Sequence, residues 1–147
     1  MPHADDMLAH AAGRAGDLAA PHLSPRPSRK VAVLACMDTR LDLFRMLGLQ
    51  PGDAHIIRNA GGLATDDAIR SLSISQRLLG TEEIVVVMHE GCGLHGAPED
   101  VPGAFEDLDA TLHQSLEQLR SSDELSARDH VRGFVFDPET GALREVA

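Results

Sequence analysis

Hydrophobic positions recur along the chain with two different periods. Over residues 5–20 the apolar and small positions Met7, Leu8, Ala11, Ala12, Ala15, Leu18 and Ala19 repeat at helical spacing and are rich in alanine. This stripe is weak, so it predicts a helix that needs another surface to lie on. Residues 21–28 contain Pro21, Pro25 and Pro27, which cannot continue a helix and make an extended linker. Residues 30–35 form a short apolar run, the pattern of a strand buried on both faces. Residues 41–49 suit one short helix, closed by Gly48 and the turn Pro51-Gly52-Asp53. Residues 54–58 are a second strand running into the loop 59–62. Thr65 can cap a helix over 66–79, with Asp66 and Asp67 in its first turn where the helix dipole favours acids. Its apolar face is predicted from Ile69, Leu72, Ile74, Leu78 and Leu79, and Gly80 ends it.

Residues 83–88 are the clearest strand pattern, followed by a Gly- and Pro-rich loop over 89–102. A helix over 103–120 presents Leu108, Leu112, Leu116 and Leu119 on one face. Residues 131–146 alternate around Phe134 and Phe136 and contain a turn at 137–141, which predicts two short antiparallel strands. The order βαβαβαββ predicts an α/β fold. Its mostly parallel central sheet has four strands plus a C-terminal antiparallel strand and is flanked by helices. Residues 1–147 form a single domain, in which 1–20 are an N-terminal helical arm and 21–29 a Pro-rich linker. In such sheets ligands sit at the carboxyl ends of the strands, where strand order reverses.

Composition narrows the function classes. The 147 residues carry 13 Lys and Arg against 23 Asp and Glu, a formal charge of −10, with no Trp and no Tyr. An acidic chain without these stacking residues is poorly suited to nucleic acid. No apolar run reaches the roughly 18 residues of a membrane span, and the N-terminal segment lacks the basic-then-apolar order of a secretory signal. The expectation is a cytoplasmic protein. Its two cysteines are then free thiols or metal ligands rather than a disulfide.

Cys36, Asp38 and Arg40 follow directly on the first predicted strand, and His89 and Cys92 directly on the third. Singly, a cysteine after a strand is a small buried hydrophobe and a loop histidine is solvated. Jointly, two Cys and one His from two strand ends make an S₂N set. Such a set leaves the fourth tetrahedral position of a zinc ion open, the catalytic arrangement. Two thiolates also disfavour Mg²⁺ and Ca²⁺. Asp38 and Arg40 can be a plain ion pair with Asp38 capping the next helix, or a pair that serves the metal. Arg58 and Asn59 can be an exposed strand end, and Asp66, Asp67 and Arg70 a solvated helix face. His3, His10, His22, His55, His113 and His130 have no partner motif and are expected at the surface.

The segments ACMDTR (35–40), IIRNAGG (56–62), DDAIRSLSISQRLLG (66–80) and VVVMHEGCG (85–93) resemble the β-class carbonic anhydrases. The tail from Val131 to Val146 resembles that family's last two strands. The resemblance implies a Zn²⁺ cofactor on Cys36, His89 and Cys92, and reversible hydration of CO₂ to bicarbonate. A zinc-bound hydroxide would be oriented by an Asp38–Arg40 dyad, with Asp38 resting either beside the metal or on it. It also implies a homodimer or higher homo-oligomer in which the arm reaches over a neighbouring subunit. Gly61 and Gly62 are then either a simple turn or backbone lying beside the substrate pocket. His95 is either a proton shuttle or solvated.

Residues 93–102, the stretch between Cys92 and the predicted helix, are fewer than this family usually places there. That makes the chain a short member with a trimmed pocket wall. Three other functions compete. One is hydrolysis of carbonyl sulfide or carbon disulfide on the same zinc, and another is a shortened, non-catalytic zinc-binding role. The third is thiol redox chemistry, which would prefer a C-x-x-C pair.

Overall fold

The computed structural model describes residues 3–146. Five strands form one sheet in the order β2-β1-β3-β4-β5. They are β1 (Val31–Cys36), β2 (Ala54–Asn59), β3 (Glu83–His89), β4 (Val131–Phe136) and β5 (Leu143–Val146). The first four run parallel and β5 turns back antiparallel on β4. Each of β1, β2 and β3 runs one residue past its predicted end, so Cys36, Asn59 and His89 still belong to the sheet. Backbone pairing therefore fixes the direction in which Cys36 and His89 leave it.

Helices α4 (Asp66–Arg77) and α5 (Leu108–Ser121) cover one sheet face. On α5 the predicted leucines Leu108, Leu112, Leu116 and Leu119 are buried. They meet Leu34, Ile84 and Val86 of the strands in one continuous core. Gly133 in β4 lets α5 approach, because a Cβ there would lie 2.7 Å from Leu116 Cδ1. Burial of each such leucine contributes about 1.5–3 kcal/mol.

Four elements differ from the sequence reading. Helix α5 begins at Leu108, not near residue 103, because Asp107 caps it by accepting the Ala110 N–H at 3.0 Å. Residues before it are used otherwise: Phe105 bridges to His95 as an isolated strand pair. Residues 93–107 therefore separate Cys92 from the helix, more chain than the trimmed wall assumed. The arm is not one helix but two, α1 (His3–Ala12) and α2 (Ala15–Leu18), broken at Gly13 and Arg14; glycine is a poor helix former. Neither helix has a buried residue. On α4 the buried face is Ala68, Ile69, Leu72, Ser73, Ser75 and Gln76, while Ile74 and Leu78 point outward. Ile74 lies about 200° around the helix from Leu72, so the two cannot share a face. Gln76 is buried instead because its amide closes the 126–127 loop, accepting from the Ser126 and Ala127 N–H groups and donating to the Ala127 carbonyl. The helix over 41–49 shortens to α3 (Leu43–Leu47), capped by Asp42 and closed by Gly48 in the left-handed conformation.

Candidate metal centre

From β1 the chain moves to β2 on one side of the sheet and then returns to β3 on the other. The reversal falls between β1 and β3, where loops diverge and leave a crevice at the strand ends. Cys36 is the last residue of β1 and His89 the last of β3, with Cys92 in the turn just beyond. The two sulfurs and one imidazole nitrogen lie within 4.8 Å of one another, and all three residues are buried. Among the described residues no other group of three such side chains converges in this way.

The donor chemistry suits a metal. His89 Nδ1 lies 2.8 Å from the Glu90 carbonyl oxygen. A carbonyl only accepts, so Nδ1 carries the hydrogen and Nε2 keeps its lone pair. Nε2 is buried and has no hydrogen-bond partner among the described residues. An orphaned acceptor of this kind costs free energy unless something satisfies it, and a cation held with the two sulfurs would do so. Burial raises the Cys36 thiol, but the His89 imidazole and the backbone N–H groups of Asp38 and Gly61 outweigh it and hold the pKa at about 7. The Cys36 sulfur in turn raises the affinity of His89 for a proton, against the effect of burial. Burial pushes the Cys92 thiol up. The Cys36 sulfur thus draws positive charge into the site.

Beside this cluster lies the Asp38–Arg40 pair. Arg40 donates from Nε to Asp38 Oδ1 at 3.0 Å and from Nη2 to Oδ2 at 2.9 Å, and its backbone N–H reaches Oδ1 at 2.8 Å. Nη2 also donates to the Gly91 carbonyl at 3.0 Å, which ties the pair to the turn between His89 and Cys92. The Arg40 guanidinium holds the Asp38 carboxyl far below the usual carboxylate range. Asp38 Oδ2 stands 3.7 Å from His89 Nε2 without joining the cluster of three donor atoms. Asp38 is not a helix cap: Asp42 fills that role for α3.

The loop after β2 packs against the same place. Gly61 and Gly62 have φ of 85° and 67°. A Cβ on Gly62 would come within 2.8 Å of the Cys36 backbone nitrogen and 3.0 Å of the Val87 carbonyl oxygen. Only glycine fits there. Asn59 closes this turn with two hydrogen bonds to the Leu63 backbone.

Arg58 is an exposed residue at the end of β2, and its guanidinium folds back and donates to the carbonyls of Cys36, Asp38 and Leu41. Nothing in the spacing of the sequence signals this; an arginine just past an apolar run with a turn opposite is the only hint. His95 is exposed, stacks on Phe105 and places Nε2 2.8 Å from the Glu106 carbonyl. His55 departs from its surface assignment. It is half-buried between Ser75 Oγ, at 2.6 Å from Nδ1, and the Pro25 carbonyl, at 2.9 Å from Nε2. That bridge pins the linker to β2 and α4.

A profile of the carbonic anhydrase family matches residues 31–137, which include both strand ends and the whole cluster. The chain belongs to the β-carbonic anhydrase family. It is 43% identical over 162 aligned residues to beta-carbonic anhydrase 1 of Mycobacterium tuberculosis, covering 97% of this chain and 96% of that protein. The crystal structure of carbonic anhydrase from Streptococcus mutans superposes with a TM-score of 0.92 at 34% identity, covering 100% of this chain and 99% of the other. Beside these two β-carbonic anhydrases the chain is of ordinary length. It is also 42% identical over 120 residues to a carbon disulfide hydrolase of Acidianus sp., a match spanning 78% of this chain and 57% of that longer enzyme. No helix among the described residues is long and apolar enough to cross a membrane.

Proposed function

We propose that this chain is a zinc enzyme catalysing the reversible hydration of CO₂ to bicarbonate and a proton. Cys36, His89 and Cys92 hold the ion, and Asp38 with Arg40 serves the reaction. The observation that carries the proposal is the bidentate Asp38–Arg40 pair set 3.7 Å from the unpartnered His89 Nε2. A purely structural metal site has no use for such a pair.

When bound, zinc supplies a Lewis acid that makes a water nucleophilic near neutral pH. The remaining work falls to the protein. Asp38 stays ionised and therefore only accepts hydrogen bonds, so it can accept one from the O–H of the attacking oxygen and leave that oxygen's lone pair facing carbon. Arg40 keeps the carboxylate ionised and fixed in plane, since a bidentate guanidinium pair sets both distance and angle. The Gly91 contact couples this pair to the turn bearing two of the donors. Gly61 and Gly62 wall the substrate pocket with backbone, in a loop that the close approach at Gly62 sets against β1 and β3.

The 42% identity to a carbon disulfide hydrolase gives a second reading ground: the same centre acting on linear carbon disulfide or carbonyl sulfide. The two readings separate on one sample. Metal content by elemental analysis, followed by stopped-flow CO₂ hydration and sulfide release from carbon disulfide, should give about one zinc per chain and turnover of CO₂. Sulfide release without CO₂ hydration would assign the second reading. Zinc without either activity would leave only a structural site.

The active protein is further proposed to be at least a homodimer. α1 and α2 have no buried residue and expose Met7, Leu8 and Leu18 at 64–70%. An apolar stripe of this kind suits another subunit.

A further inference from the structure

Arg58 lies in β2 opposite Ala35 of β1, one strand away from the crevice. After Cys36 the chain leaves the sheet; the last ladder bond runs from the Met37 N–H to the Asn59 carbonyl. Beyond it the carbonyls of Cys36, Asp38 and Leu41 have no strand to pair with, and backbone acceptors need partners; a turn supplies one for Asp38, whose carbonyl accepts the Leu41 N–H at 3.2 Å. All three converge on Arg58. Nε donates to Cys36 O at 3.0 Å, Nη2 to Cys36 O and Asp38 O at 2.8 Å each, and Nη1 to Leu41 O at 3.1 Å.

From this convergence we infer that Arg58 is a positioning residue for the metal centre: its guanidinium sets the curl of residues 36–41 and so places the Asp38 carboxylate relative to the Cys36 sulfur. The inference rests on the reaction proposed above only for its activity readout. Three carbonyl oxygens gathered in one place repel unless a cation sits among them. A planar fork with five donors meets them all, whereas a lysine ammonium is a point charge on a flexible stem. The segment is held at both ends, by Cys36 in β1 and by buried Leu41. Between these anchors the Asp38 backbone carbonyl accepts from Arg58 and from the Leu41 N–H, and its carboxylate accepts from Arg40. Arg58 is exposed, so a small guanidinium can reach the place it would vacate.

The test compares wild type with Arg58→Lys and Arg58→Ala, each loaded with zinc or with cobalt(II). A misplacement of about 1 Å can cost about 10²-fold in rate. Arg58→Ala should therefore keep its metal while kcat/KM for CO₂ falls by about 10- to 100-fold, and Arg58→Lys should recover little. The cobalt(II) absorption bands should shift, reporting altered geometry at Cys36. Methylguanidinium should restore rate and spectrum to Arg58→Ala and leave wild type unchanged. A lower melting temperature with unaltered kcat/KM and cobalt spectrum would make Arg58 a brace of the fold and overturn the inference. Should metal-loaded wild type hydrate no CO₂, the proposed reaction falls, and the cobalt spectrum and its rescue still decide Arg58. If neither variant folds, hydrogen exchange at Nε–H in wild type decides. Exchange much slower at Arg58 than at exposed Arg77 supports the inference, and equal rates contradict it.

Discussion

At the scale of single residues, the centre depends on a few atoms that no neighbour can replace. Cys36→Ser removes a thiolate donor and leaves His89 Nε2 buried beside a hydroxyl. Elemental analysis should find zinc largely lost, and thermal unfolding should shift to lower temperature because the ends of β1 and β3 are no longer tied together. Gly62→Ala forces a Cβ to 2.8 Å from the Cys36 nitrogen at φ 67°. Strain of that kind costs about 1–3 kcal/mol, and because the clash is with backbone, zinc affinity measured by chelator competition should fall as well. The sulfurs, the imidazole and the Asp38–Arg40 pair were legible in the sequence because each closes or follows an apolar run. Arg58 and His55 were not. Each makes its contacts by reaching to a segment far off in sequence, Arg58 to 36–41 and His55 to Pro25 and Ser75, and periodicity carries no information about such returns.

Among the elements, the parallel strands were the most legible, since a run such as residues 83–88 is apolar throughout and bounded by polar turns. Helix faces were read less well. The leucines of α5 repeat cleanly and are buried, whereas α4 turns Ile74 outward and buries Gln76, whose three loop contacts outweigh its polarity. The start of α5 is hard to place because Gly103, Ala104 and Phe105 offer no polar break; the helix begins at the capping Asp107. The same helix gives an element-scale test. Leu116 is wholly buried over Gly133, so Leu116→Ala should destabilise the protein by about 2–5 kcal/mol. Urea unfolding should report this with zinc binding retained, because α5 contributes no donor to the cluster. A loss below 1 kcal/mol or so would mean that α5 packs more loosely on the sheet than described.

On the scale of the whole molecule, strand order places the centre. The reversal between β1 and β3 falls at their carboxyl ends, and Cys36, His89 and Cys92 stand together at that one place. The arm stands apart from this core, joined by a proline-rich linker that the His55 bridge holds at Pro25. If the arm lies on a second subunit, sedimentation of the full chain at micromolar concentration should give a dimer or larger. Removal of residues 1–20 should shift that equilibrium toward monomer while the remaining domain stays folded. A full-length monomer under these conditions would contradict the assembly.

The central claim is that Asp38 and Arg40 serve the reaction at a metal held by Cys36, His89 and Cys92. Arg40 is no metal ligand, yet it holds the carboxylate by donating two side-chain hydrogen bonds. The most direct measurement is the CO₂ hydration rate of zinc-loaded Arg40→Ala beside wild type, with zinc content determined on the same samples. Zinc should stay equal while the rate falls by about 10²–10⁴-fold, the usual loss for a positioned acid–base group. Full activity in Arg40→Ala at equal zinc content would contradict the account and reduce the pair to a structural contact.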